Sequence, residues 1–93
     1  MSHLTFPANK QALIARLRRI SGQIAAIEKA IESDETCGNI LQQVAGARGA
    51  INGLMDEIIV DHLREHVARP DLDEMARASG AAELIAVIRR YSK

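Results

Sequence analysis

Six branched apolar side chains, Leu13, Leu17, Ile20, Ile24, Ile27 and Ile31, recur at alternating steps of four and three residues. Such a line is continuous only on an α-helix, where it forms a heptad seam, and a strand would scatter it over both faces. The seam begins soon after Pro7 and Asn9, which suit a helix N-terminus. Ser33-Asp34-Glu35 interrupts the pattern and can cap a second helix, whose stripe is Ile40, Val44, Ala47, Ile51, Leu54 and Ile58. Two such stripes joined by a short polar break predict an antiparallel helical hairpin. Pro70 closes the second helix, Asp71 to Gly80 reads as a polar connection with room for a helical turn, and Ala81 to Tyr91 predicts a short third helix burying Leu84, Val87 and Ile88. The fold class is all-α, a three-helix protomer forming one domain over residues 1–93.

The second helix has more to bury than the first can cover. Beside its core stripe runs another face of Cys37, Leu41, Ala45, Arg48, Asn52, Met55, Ile59, His62 and His66. With one Phe, one Tyr and no Trp, the chain has few large groups from which to build a core alone, so it is expected to oligomerise. A single cysteine rules out an intrachain disulfide, and no apolar run is long enough for a bilayer span or a secretory signal, so the chain reads as cytoplasmic with no membrane partner. The formal net charge is zero, yet the first helix carries Lys10, Arg16, Arg18, Arg19 and Lys29 against only Glu28 and Glu32. A neutral protein can thus present a basic face.

Cys37, His62 and His66 share one side of the helical wheel but stand far apart along it. At 1.5 Å per residue, Cys37 and His62 lie roughly 37 Å from each other on one helix axis. A ligand shared by them therefore has to sit between two chains whose long helices run antiparallel, Cys37 of one meeting His62 and His66 of the other. The midpoint of that crossing falls near Gly49 and Ala50, within the small-residue stretch Ala45 to Ala50, which lets two backbones approach closely. Taken singly, a helical cysteine is ordinarily a small hydrophobe and a surface histidine is unremarkable. Taken together, a thiolate and two imidazoles one turn apart suit a borderline transition metal. His3, with the terminal amine nearby, could join them from the N-terminal arm.

His62-Leu63-Arg64-Glu65-His66 also has the form of an inverted zinc peptidase motif, with two histidines on zinc and a glutamate activating water. A peptidase needs a third protein ligand and a substrate cleft that two long helices hardly supply, so no enzymatic activity is read here. A ferritin-like carboxylate site fails too, because neither histidine has a glutamate three residues before it. No phosphate loop or nucleophile triad is present. A helical assembly module with an incidental thiol is the non-regulatory alternative.

Arg16-Leu17-Arg18-Arg19-Ile20-Ser21-Gly22-Gln23, then Cys37, the run from Leu41 to Met55, and His62-Leu63-Arg64-Glu65-His66 together resemble the CsoR/RcnR/FrmR family of bacterial repressors. The resemblance covers nearly the whole chain and implies a disc-shaped homotetramer, a dimer of dimers. Such a repressor binds operator double-stranded DNA and lets go when an inducer occupies the intersubunit site. In that family the nickel/cobalt branch uses an N-terminal histidine, the cysteine and two histidines, matched here by His3, Cys37, His62 and His66. The inducer implied is a nickel or cobalt ion, with zinc also compatible. The copper sensors of that family have a Cys-His-Cys pattern, and here its last position is His66, which removes a soft thiolate and weakens the case for Cu(I). The formaldehyde branch, which needs no metal, keeps the cysteine and the terminal amine, matched by Cys37 and Ser2. Ser2 departs from the proline frequent there, and the arm with Phe6 and Pro7 is longer than in either branch. Arg16, Arg19 and Gln23 line up beside the seam at steps of three and four, and the resemblance makes them the phosphate-binding face rather than an ordinary solvated one. Arg48 joins the DNA surface or holds the tetramer.

Overall fold

The computed structural model describes residues 10–91, which form three α-helices and, among the described residues, no strand. Helix α1 spans Lys10–Glu32, α2 spans Cys37–Leu63 and continues into a π-helical segment Arg64–Ala68, and α3 spans Glu74–Tyr91. The chain divides into two compact units, with the division between Met55 and Asp56 inside α2. None of the helices is long and apolar enough to cross a membrane.

The first unit is the expected antiparallel hairpin. Arg16 of α1 lies against Gly53 of α2, while Ile20 and Gln23 share a groove with Ala50, so residue numbers rise on one helix as they fall on the other. The turn is tight because α1 ends in two crossed backbone bonds, Glu35 N–H to the Ala30 carbonyl at 3.0 Å and Asp34 N–H to that of Ile31 at 3.1 Å. This closure requires a left-handed residue between them, and Asp34 takes it at φ 57°. The break at Ser33-Asp34-Glu35 is where the sequence predicts it, but the cap of α2 is Thr36, whose Oγ1 accepts the Asn39 N–H at 3.2 Å.

The heptad seam proves to be two rows. Ile20 is buried at 3% exposure, with Leu13 and Ile27 half-buried, whereas Leu17, Ile24 and Ile31 remain 54%, 53% and 56% exposed. Within this unit the stripe on α2 splits the same way: Ala47 is buried and Ile40 and Leu54 half-buried, while Val44 and Ile51 stay exposed; Ile58, beyond the division, is half-buried. The contact between α1 and α2 thus covers alternate members of the α1 seam and leaves the other row bare. Each uncovered Leu or Ile is about half exposed and so forgoes roughly 1 kcal/mol of burial.

The second unit holds the end of α2, the π-helical segment and α3. Arg69, before Pro70, is extended (φ −61°, ψ 128°), as the proline ring demands, and this ends the helical run. Here the structure corrects the sequence reading: α3 starts at Glu74, not Ala81, because Asp73 caps it by accepting the Ala76 N–H on Oδ1 at 2.7 Å. Gly80 is therefore a buried position inside a helix. Leu84 and Val87 are half-buried as expected, but Ile88 is exposed. Arg77 bonds α3 back to the preceding loop, its Nη2 donating to the carbonyls of Arg69 and Leu72, each at 3.1 Å.

Candidate functional site

His62 and His66 come together in the second unit. Their ring centroids are 4.8 Å apart and the planes are inclined by 43°. His62 lies in the last turn of α2 and is 7% exposed. Its Nε2 is 3.0 Å from the Gly80 carbonyl oxygen. A carbonyl can only accept, so Nε2 carries the proton and donates, and in the neutral ring the lone pair is left on Nδ1. A histidine held in this way by a backbone carbonyl is oriented as metal-ligating histidines are. His66 sits in the π-helical segment, so the spacing of four residues, which suits an α-turn, spans the point where the helix widens. Its Nε2 is buried without a hydrogen-bond partner among the described residues. A nitrogen out of water and unmatched is costly unless a ligand or proton donor reaches it.

Gly80 places both rings. A methyl group at Gly80 would collide with the His66 backbone, falling on its carbonyl oxygen, 2.7 Å from the carbonyl carbon and 2.9 Å from Cβ. Only glycine lets α3 approach the π-helical segment this closely while its carbonyl reaches His62. Sequence reasoning missed this residue, because a glycine after Ala78-Ser79 reads as loop. It also passed over Asp61, buried beside His62.

Cys37 is the first residue of α2, with its thiol exposed. Ser2 and His3 lie outside the described residues. Among the described residues of one chain, no three His, Cys, Asp or Glu side chains gather as a group able to hold a metal ion. A complete site needs donors from elsewhere: the arm, a second copy, or both.

The residues expected to face DNA belong to the first unit. Arg16, Arg19 and Gln23 line a groove of about 250 Å³ whose remaining walls are Ile20 and Ala50. Arg16 is half-buried and Arg19 and Gln23 are exposed. No ion pair is found for either arginine among the described salt bridges, which involve Arg69 with Glu65 and Asp71. Arg48 is exposed on α2 and does not line this groove.

Residues 9–90 match the family described as metal-sensitive transcriptional repressor. Over 93 residues, all of both chains, the sequence is 40% identical to the transcriptional repressor RcnR of Citrobacter koseri. It is 44% identical, over 91% of this chain and 93% of the other, to an uncharacterized protein of the bioA 5′ region of Serratia marcescens. The fold is similar to a Glu-to-His variant of the formaldehyde-responsive regulator FrmR of Salmonella enterica serovar Typhimurium. That likeness has a TM-score of 0.83 and 43% identity, covering 92% of this chain and 97% of that one.

Proposed function

We propose, from the premise that this chain belongs to the metal-sensitive transcriptional repressor family, that it binds operator DNA through Arg16, Arg19 and Gln23 and releases it when nickel or cobalt is bound. The observation that carries the metal reading is the histidine pair, one ring held by Gly80 with Nδ1 left to coordinate and the other with a buried, unmatched Nε2. Cys37 of a second copy and His3 complete the donor set, a mixture of thiolate and imidazole that suits these ions. The exposed rows Leu17/Ile24/Ile31 and Val44/Ile51 supply apolar surface for assembly into the homotetramer, a dimer of dimers. Gly46 and Gly49 support a helix crossing there: a methyl group at either would meet nothing within 4 Å among the described residues, so nothing described in the protomer explains their smallness.

A second reading is supported by the exposed Cys37 thiol and by the likeness to a formaldehyde-responsive regulator. The thiol adds to formaldehyde as a hydroxymethyl thioether, and the amine of Ser2, if it is the N-terminal residue, displaces water to leave a methylene bridge. The deciding experiment is a gel shift on metal-free protein with a duplex selected by the protein from a random-sequence pool. Release by nickel or cobalt and not by formaldehyde supports the first reading, and the reverse supports the second. No duplex retained under any condition would overturn both.

A further inference from the structure

Gly53 stands inside α2, where no glycine has a positive φ, so the backbone gives no reason for it. A glycine in a helix interior is destabilising relative to alanine. The reason lies on α1. A methyl group on Gly53 would fall 3.8 Å from Cζ of Arg16 and only 2.6 Å from its Nη1, closer than real contacts come, whereas Gly46 and Gly49 on the same helix meet nothing within 4 Å among the described residues. The guanidinium of Arg16 thus lies directly over the bare Cα of Gly53. It is held half-buried at the groove that Arg19 and Gln23 also line.

We propose that Gly53 is a positioning residue for DNA binding: by lacking a side chain it seats the Arg16 guanidinium across α2, aimed with Arg19 and Gln23 at one backbone phosphate of the duplex. An arginine lying free in solvent loses rotamer freedom when it meets a phosphate, and one already laid into a helix–helix groove loses less. The atom a methyl group would displace is the far end of a flexible side chain. Gly53→Ala therefore moves Arg16 without disturbing the helices, and the helix itself gains from the exchange.

The inference rests on the operator-binding reading, and the test separates the two. The probe is the duplex selected by the wild-type protein from a random-sequence pool, with affinity followed against salt for wild type, Gly53→Ala, Arg16→Ala and the double variant. Thermal melting and sedimentation accompany each. The expected result is that Gly53→Ala melts no lower than wild type, keeps its assembly state and loses affinity. Its slope of log affinity against log salt should flatten by about one for each protomer whose arginine leaves its phosphate. On the Arg16→Ala background the glycine substitution should change nothing further. Loss of affinity in Arg16→Ala with wild-type affinity and slope in Gly53→Ala would overturn the positioning role and leave the DNA face standing. An equal loss from Gly53→Ala on both backgrounds would also overturn it, because the effect would not pass through Arg16. Wild-type binding in Arg16→Ala would remove the DNA face and the inference with it.

Discussion

Gly80 and His62 are joined by a buried hydrogen bond, Nε2 to carbonyl oxygen at 3.0 Å, that exists only because Gly80 also has no side chain to strike His66. One residue of α3 thereby fixes a tautomer and a helix separation at once.

Gly80→Ala should break both. The methyl group meets backbone atoms of His66, which cannot swing aside as a side-chain tip could, so α3 must retreat. Overpacking of this kind costs roughly 1–3 kcal/mol, enough to lower the melting temperature by about 4 °C or more in a domain of this size. Losing the carbonyl that orients His62 should also weaken nickel or cobalt binding by about 10–100-fold. A melting curve and a metal titration matching wild type would show that α3 does not depend on this contact.

The hairpin was legible from residues whose spacing has one physical reading. The steps of four and three in α1 can only be a helix, and Ser33-Asp34-Glu35 can only interrupt one. What spacing cannot say is how many neighbours a seam has, and Ile20 and Ile24 look alike until the packing separates them. The start of α3 was hidden because the Asp73 cap is one acid in the run Asp71 to Glu74, and because Gly80, which ends helices far more often than it sits inside them, followed. His62 and His66 were picked out correctly as neighbours, but a spacing of four fits an α-turn and a widened turn equally well. Gly53 carried no signal, since its reason is a side chain on another helix.

Asp34 holds a left-handed conformation at φ 57°, which an L-residue other than glycine adopts at a cost. Asp34→Gly keeps the crossed bonds of Glu35 and Asp34 N–H, which are backbone, and removes the strain. It should raise stability by roughly 0.5–1 kcal/mol, read as a higher denaturant midpoint at unchanged slope. A lower midpoint would mean that the Asp34 side chain itself supports the turn.

Gly49 tests assembly. A Cβ there meets nothing within 4 Å among the described residues, so Gly49→Leu should leave the helicity of the protomer intact. If two α2 helices cross at this point, the same substitution overpacks the crossing and should cost assembly roughly 1–3 kcal/mol. Sedimentation should then show smaller species at a given concentration, with far-UV circular dichroism unchanged. A wild-type sedimentation profile would place the crossing elsewhere.

The inducers part at His66. If nickel or cobalt is the signal, the ion draws on both imidazoles, so His62→Ala and His66→Ala should each abolish release of DNA by metal, and His3→Ala should reduce it. Formaldehyde chemistry asks for a thiol and a free amine and has no use for either ring, so formaldehyde should still release DNA from His66→Ala if that is the signal. Cys37→Ala does not discriminate, because the sulfur is a ligand in one scheme and the nucleophile in the other. The Nε2 of His66 makes the metal outcome the expected one, because a buried nitrogen with no partner among the described residues is what a coordinating ion would relieve. Replacing that ring by an apolar side chain of similar size, as in His66→Leu, should also raise stability in the absence of metal, since it removes the penalty of a desolvated, unsatisfied group without leaving a void. Mass spectrometry supplies the opposing result. A gain of about 12 Da that links the N-terminus to Cys37, accompanied by release of DNA and indifference to metals, would overturn the metal assignment in favour of formaldehyde.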